Sequence, residues 1–408
     1  MTKHLLKSEI TSGKSLKITG SKSESNRLLL LQALYPNITI ENLSNSDDSQ
    51  LMQKALAGDS DIIDIHHAGT AMRFLTAYYS IQEGRQIELT GSSRMKERPI
   101  EVLVEALKSL GADITYKENE GFPPLRINGT TFSKSEVELT ANVSSQYISA
   151  LLLIAPSLKN GLHLSLKGQL TSVPYIKMTL RLLEDIGVQT KFEGNEIWID
   201  HLNDIGQSKT MVVESDWSSA SYYYSIIALS PVGTQLKLSS YKKDSLQGDS
   251  VLSELYKVFG VVTTFSNHNI ELQKTSEARL DEMVKFNLIN SPDIAQTIAV
   301  TAFGLGLQCE LTGLHTLKIK ETDRLVALKT ELEKLGAAIT IDENSLRLGK
   351  SNSEVPNVAI DTYKDHRMAM AFAPLALVRD ISINEAEVVS KSYPTFWEDL
   401  ETLGIIVK

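Results

Sequence analysis

Hydrophobic and polar positions follow one long pattern along the chain, written six times. A short polar or basic lead-in gives way to a run of apolar residues too continuous for a surface helix. The lead-ins are Ser21-Lys22-Ser23-Glu24-Ser25-Asn26-Arg27, His67-Ala68-Gly69-Thr70-Ala71-Met72-Arg73, Ser144-Ser145-Gln146, Asp216-Trp217-Ser218-Ser219, Ser291-Pro292-Asp293 and Lys364-Asp365-His366-Arg367. The runs behind them include Leu28 to Leu31, Ile148 to Ala155 and Met368 to Ala376. Such a run predicts a helix buried on all sides, with its N-terminus at the lead-in. A second, amphipathic helix follows, usually closing in a leucine-like residue and glycine, as at Leu110-Gly111, Ile186-Gly187, Phe259-Gly260, Leu335-Gly336 and Leu403-Gly404. The first copy, ending at Ala57-Gly58, is degenerate. A spacing of roughly 70 residues is longer than that of common solenoid repeats, so each copy reads as a small α/β module.

Copy two shows the internal order. Thr70 to Tyr79 predicts the first helix, Gln86 to Thr90 alternates as a strand, and Pro99 to Leu110 predicts the amphipathic helix with proline at its start. Ile114-Thr115-Tyr116 and Leu125-Arg126-Ile127 then predict a hairpin. The last copy stops at Gly404-Ile405-Ile406-Val407-Lys408 with one short strand and no partner. The strand-like runs His4-Leu5-Leu6 and Ser15 to Thr19 belong to no copy and are the natural completion of the C-terminal module. The expected architecture is α/β with two domains, each of three βαβαββ-like units, around an interdomain cleft. Residues 1–19 plus 217–408 would form a discontinuous domain, with 20–216 inserted and crossings near Gly20 and Glu214.

Composition supports a globular enzyme or binding protein. The 408 residues are 42% hydrophobic and 22% charged, and no apolar run has transmembrane length. No signal-peptide core follows Met1-Thr2-Lys3-His4, and a single cysteine, Cys309, excludes an internal disulfide, so a cytoplasmic location is expected. A net charge of −9 argues against nucleic-acid or membrane binding. Cations nevertheless cluster in turns and at helix starts, notably Arg94-Met95-Lys96-Glu97-Arg98 and Lys318 to Arg324. Helix N-termini carry unpaired N–H groups and partial positive charge, so helices opened by Ser, Lys and Arg point to a small anionic ligand.

Three segments carry candidate chemistry. Gly20-Ser21-Lys22-Ser23-Glu24-Ser25-Asn26-Arg27 is the densest anion-binding motif, although it lacks P-loop spacing. Lys320-Glu321-Thr322-Asp323-Arg324 reads as the opening of an amphipathic helix, with Lys320 and Arg324 on one face and a carboxyl group between cations. Asp293 is a second carboxylate at a helix start, where a cap is the ordinary role. Like charges about 4 Å apart repel by roughly 4 kcal/mol at an effective dielectric of 20, so gathering these cations calls for an anionic partner. His66-His67 has no metal-ligand spacing, and no metal site is expected.

Together Gly20 to Arg27, Ala68-Gly-Thr-Ala-Met-Arg73, Arg94-Met-Lys-Glu-Arg-Pro99, Ser144-Ser-Gln146, Asp216 to Ser221, Lys320 to Arg324 and Asp365-His-Arg-Met-Ala-Met370 resemble the 5-enolpyruvylshikimate-3-phosphate synthases almost end to end. The resemblance implies the enolpyruvyl transferase fold and transfer of a carboxyvinyl group from phosphoenolpyruvate to the 5-hydroxyl of shikimate 3-phosphate, without a cofactor. By that likeness Lys22, Ser23, Arg27, Ser144, Ser145, Gln146, Ser172, Asp293 and Lys320 bind shikimate 3-phosphate. Lys22, Gly69, Arg94, Gln146, Arg324, Arg367 and Lys391 bind phosphoenolpyruvate. Asp293 accepts the hydroxyl proton, Glu321 protonates the methylene carbon, and Lys22 is a further candidate for proton transfer. His67, Phe74 and Thr316 stand where the family commonly has asparagine, proline and asparagine. Small-molecule substrates and a monomer are expected. The alternatives are the sister transferase acting on UDP-N-acetylglucosamine, whose usual loop cysteine or aspartate is absent from Arg94 to Pro99, and a noncatalytic anion-binding relative.

Overall fold

Each copy of the repeat builds its own sheet. In a computed structural model describing residues 1–140, 145–168, 170, 173–279, 282–351 and 355–408, five sheets have four strands and one has two. The four-stranded sheets share one pairing scheme. In copy two, Ile62–Asp64 runs parallel to Gln86–Thr90, which pairs antiparallel with Leu125–Asn128, itself antiparallel to Asp113–Tyr116. A parallel pair needs a crossover, and the helix Gly69–Ser80 supplies it. The helix Glu101–Leu110 then leads to the hairpin, in which Ile114 faces Ile127 as the alternation indicated. This helix starts after Pro99 rather than on it. The Pro99 carbonyl is turned away to accept from Arg73 Nη2 at 3.0 Å and the Tyr147 hydroxyl at 2.6 Å.

The chain divides into two compact units, Met1–Thr19 with Glu214–Lys408, and Gly20–Val213. Within Gly20–Val213, the apolar helices Lys22–Leu34, Gly69–Ser80 and Ser145–Ile154 pack on one another. Their long buried runs, such as Tyr147 to Ile154, account for the lack of a polar face. In the other unit Trp217–Leu229, Ala295–Gly304 and His366–Phe372 take the equivalent central place. In both, the sheets and amphipathic helices surround this centre.

The chain's first strands complete sheets assembled from distant sequence. Lys3–Leu6 lies between Ile381–Ile383 and Ile406–Val407, antiparallel to both, so it serves as the third strand that the last copy lacks. Lys14–Lys17 runs parallel to Gln235–Ser239 and opens the sheet of copy four. Among the described residues, the degenerate first copy contributes a single strand, Ile38–Glu41, paired in parallel with Lys209–Val212.

The chain passes between units at Thr19–Gly20 and at Val213–Glu214, the second three residues before the sequence boundary at 216. Gly20 has no room for a side chain, because a Cβ there would meet the Asn42 carbonyl oxygen at 1.9 Å. Glu214 is buried in the discontinuous unit, accepting from Trp217 Nε1 at 2.8 Å, Lys242 N at 2.8 Å and Ser245 Oγ at 2.7 Å. Those bonds commit residue 214 to the discontinuous unit, so the boundary falls before it.

Leu5 is 1% exposed in the middle of the last sheet. Leu5→Ala is expected to lower the free energy of unfolding by about 2–5 kcal/mol, measured by urea denaturation, because the surrounding strands come from three separate segments and cannot collapse together. A loss under about 1 kcal/mol would show that this strand is dispensable.

Candidate active site

In the unit Gly20–Val213 the first lead-in forms a capped helix start. Ser21 accepts from the Glu24 N–H at 3.5 Å, and Lys22 and Ser23 occupy the first turn of Lys22–Leu34. Arg27 lies one turn on and is buried. Its guanidinium donates to Thr179 Oγ1 at 2.8 Å, Ser149 Oγ at 2.8 Å and the carbonyls of Ser23 at 2.7 Å and Tyr175 at 3.4 Å. The Phe74 and Tyr175 rings lie 5.4 and 5.9 Å from the same group. Burial lowers the Arg27 pKa to about 10, which leaves it cationic at neutral pH. Phe74 therefore supports a buried arginine.

The second and third lead-ins meet the same helical centre. Gln146 donates to Thr70 Oγ1 at 3.1 Å, linking the start of Ser145–Ile154 to that of Gly69–Ser80. The Gly69 turn is braced from two sides. Arg73 Nη1 donates to the Gly69 carbonyl at 3.2 Å, and a Cβ on Gly69 would fall 2.5 Å from Arg98 Nη1. Arg94 stands apart, half exposed on the short helix Ser93–Lys96 and paired with Glu97 at 2.9 Å. Ser144 and Ser172 lie outside the described residues.

In the discontinuous unit the charges are gathered around one arginine. Arg324 is 2% exposed, yet it meets three carboxylates. Nε donates to Asp365 Oδ2 at 2.6 Å, Nη1 to Asp293 Oδ1 at 2.9 Å, and Nη2 to Glu321 Oε2 at 2.7 Å. Asp293 also takes Arg367 Nη2 at 3.1 Å and Lys320 Nζ at 3.4 Å, while Arg367 Nη1 donates to the Asp293 backbone carbonyl at 3.1 Å. Lys391 Nζ donates to the Lys364 carbonyl at 2.7 Å, one residue before Asp365. The cations expected to await an anionic ligand are thus already compensated by the chain's own carboxylates.

Local sequence explains these positions, and it corrects two expectations. The helix opens at Arg324, not at Lys320, because Asp323 caps it, accepting from Leu325 N at 3.1 Å and Val326 N at 3.2 Å. Lys320 and Glu321 consequently sit in the preceding irregular segment, and the shared helix face for Lys320 and Arg324 does not exist. Asp293 is not a cap either. It lies in a 3₁₀ turn, Pro292–Ile294, with its carboxylate committed to arginines and a lysine. Asp216, by contrast, does cap its helix, accepting from Ser219 N at 2.8 Å. Asp365 combines both roles, capping His366–Phe372 through Arg367 N at 2.8 Å while holding Arg324.

The electrostatics follow from this packing. Burial alone would raise the Asp293 pKa, but Arg367, Lys320 and Arg324 outweigh it and hold the carboxyl well below its usual range. Burial would likewise lower Arg324, but Asp365, Glu321 and Asp293 raise it instead. Asp249 behaves oppositely. It is 2% exposed, receives a hydrogen bond from Ser218 Oγ through Oδ2, and has no hydrogen-bond partner at Oδ1 among the described residues. Burial, and then the nearby charge of Asp293, push it up to about 7. Sequence reasoning missed Asp249. It also read Asp365 only as part of a cationic lead-in, although an aspartate before an apolar run is a cap signal. Thr316 Oγ1 is buried with no hydrogen-bond partner among the described residues.

No group of three or more His, Cys, Asp or Glu side chains among the described residues is arranged to hold a metal ion, and no helix among them is long and apolar enough to cross a membrane. His67 Nε2 lies 3.8 Å from Asp47.

An aspartate whose folded pKa lies above its unfolded value stabilises the fold fully below the unfolded pKa, near 4. That contribution is lost as pH rises through the folded pKa of about 7. Asp293, with its depressed value, loses its contribution only in acid. Asp249→Asn is therefore expected to flatten the decline in melting temperature between about pH 4 and about pH 7. A pH slope equal to that of the unaltered protein would contradict the buried, proton-binding state.

The chain is similar to known proteins along nearly its whole length. The family described as EPSP synthase (3-phosphoshikimate 1-carboxyvinyltransferase) matches residues 53–400. A Bacteroides fragilis protein named 3-phosphoshikimate 1-carboxyvinyltransferase is 48% identical over 402 residues, covering 97% of this chain and 96% of its own. Among solved structures, EPSP synthase from Acinetobacter baumannii superposes with a TM-score of 0.79 at 22% identity, covering 100% of this chain and 99% of that one. The enolpyruvyl transferase NikO from Streptomyces tendae gives 0.73 at 15%, covering 100% and 98%, and these two likenesses establish the fold. With a relative of that identity along nearly its whole length, the chain belongs to the EPSP synthase (3-phosphoshikimate 1-carboxyvinyltransferase) family, a family of transferases.

Proposed function

We propose that the chain transfers the carboxyvinyl group of phosphoenolpyruvate to the 5-hydroxyl of shikimate 3-phosphate and releases phosphate, a step toward chorismate and the aromatic amino acids. The observation that carries this reading is the pairing of two carboxylates, Asp293 and Glu321, through one buried guanidinium, with Lys320 and Arg367 on the Asp293 side. A reaction that moves one proton off a hydroxyl and another onto carbon needs two such groups close together, and dianionic substrates need cations around them.

The chemistry divides into addition and elimination. As the acceptor oxygen bonds to C2 of phosphoenolpyruvate, Asp293 takes the hydroxyl proton and Glu321 gives a proton to C3, with Lys22 as a further proton carrier. The resulting tetrahedral intermediate carries the acceptor, carboxylate, methyl and phosphate groups on one carbon. Return of a methyl proton to Glu321 and cleavage of the C2–O bond, with phosphate leaving and taking up the proton held by Asp293, restore the double bond and both side chains. Positive character at C2 builds during protonation, and the surrounding carboxylates oppose its cost.

Asp293 is held ionised, which makes it available but weakly basic. The phosphate and carboxylate of phosphoenolpyruvate compete for Arg324 and Arg367, joined in this reading by Lys22, Gly69, Arg94, Gln146 and Lys391. The acceptor draws on Lys320 together with Lys22, Ser23, Arg27, Ser144, Ser145, Gln146 and Ser172. As the cations turn toward ligand anions, Asp293 loses compensation and gains basicity at the moment it is needed. Arg27, held by Thr179, Ser149 and two carbonyls, adds its positive charge to the acceptor site beside Lys22 and Ser23.

Phosphate release from phosphoenolpyruvate, measured with shikimate 3-phosphate and with UDP-N-acetylglucosamine as acceptors, tests the assignment. Turnover is expected with shikimate 3-phosphate alone, and turnover only with the UDP-sugar would overturn it. Asp293→Asn and Glu321→Gln are each expected to lower kcat by about 10²- to 10⁴-fold. A kcat within about threefold of the unaltered enzyme for either would remove that residue from proton transfer.

A further inference from the structure

We infer that Glu331, assigned no role above, is a positioning residue that holds the phosphoenolpyruvate-binding cations through a strained turn. It lies seven residues after Arg324 on the helix Arg324–Lys334, which places both side chains on one helix face, two turns or about 10 Å apart. Both are buried, and both grip the same passing segment. Arg324 takes its far end, at Asp365. Glu331 takes its near end, accepting from the Asp361 N–H at 3.1 Å through Oε2 and from the Tyr363 hydroxyl at 2.6 Å through Oε1. Lys334 bridges Glu331 at 2.8 Å and Asp361 at 2.7 Å on the outer side.

Between the two grips the backbone adopts a costly form. Tyr363 and Lys364 have φ of 53° and 56°, two consecutive non-glycine residues in the left-handed region. That conformation is unfavourable for an L-residue, and such a pair persists only where its surroundings over-determine it. The turn has a product. It aims the Lys364 carbonyl at Lys391 Nζ, 2.7 Å away, and delivers Asp365 to Arg324 and Arg367 to Asp293. Glu331 thus acts through Tyr363 on Lys391 and Arg367, the cations on either side of the turn. A buried glutamate serving only to fasten a loop would affect stability, without selecting one substrate over the other.

This inference rests on the reaction proposed above, and the experiment separates the two. Glu331→Gln keeps shape but cannot accept from both the Asp361 N–H and the Tyr363 hydroxyl in the same way, and Tyr363→Phe removes one hydroxyl from a partly exposed ring. In ligand-free protein, amide hydrogen exchange across residues 361–367 is expected to accelerate in both variants, with exchange in Leu325 to Leu332 unchanged. In steady-state assays kcat/KM for phosphoenolpyruvate is expected to fall about 10- to 100-fold, while KM for shikimate 3-phosphate stays unchanged. Exchange equal to that of the unaltered protein, or equal changes in KM for both substrates, would overturn the positioning role. Should Glu331→Gln fail to fold, Tyr363→Phe carries the same comparison. Absence of turnover in the unaltered protein would sink the reaction instead, because the exchange measurement uses no substrate.

Discussion

A single buried cation organises the discontinuous unit. Moving a guanidinium out of water costs several kcal/mol, and burial is tolerable only when opposite charges and hydrogen bonds replace the lost hydration. Arg324 finds them in Asp293, Glu321 and Asp365, which come from different segments of the chain. Satisfying that one charge therefore fixes the helix start of copy five, the approach to the helix Arg324–Lys334, and the helix start of copy six relative to one another. In the proposed reaction the two carboxylates assigned to proton transfer are held in place before any substrate arrives, which is the condition under which fixed charges act most strongly on a developing one.

Much of this is legible in the residues, for physical reasons. Strand alternation in copy two sets the hairpin register, because slipping by one residue would turn Ile114 and Ile127 to the wrong face. The continuous apolar runs mark the six central helices, since no surface helix lacks a polar side. The segment around Lys320 misleads because periodicity does not locate a helix start, which the cap decides. Asp323 supplies that cap, and Lys320 before it falls into irregular chain. Asp249 cannot be found from spacing at all. Its character arises from burial and from Asp293, 44 positions away in the sequence, and neither leaves a local pattern.

The repeats share a scaffold and diverge where their apolar helices begin. Asp216 keeps the ordinary capping role, Asp365 caps and also neutralises Arg324, and Asp293 has abandoned capping for a place among cations. Gly69 gives copy two a turn against which Arg98 packs closely. One residue type at one position in the module thus reaches three outcomes, decided by which charges the neighbouring copies bring to it. Symmetry supplies the helix ends; broken symmetry supplies the differences in charge.

The strand Lys3–Leu6, set between Ile381–Ile383 and Ile406–Val407, ties this fold to the timing of its synthesis. Ribosomes extend a chain at roughly 5–20 residues per second, and domains tend to fold as they emerge. The continuous unit Gly20–Val213 can close while the remainder is still being made. The strand Lys3–Leu6 must instead wait for Ile406–Val407 to be made, its backbone donors and acceptors unpaired for tens of seconds. Its sequence, Lys3-His4-Leu5-Leu6, puts a charged and an ionisable residue beside the two leucines. Such residues discourage pairing with a neighbouring nascent chain, so the strand that must wait for its partner carries its own protection.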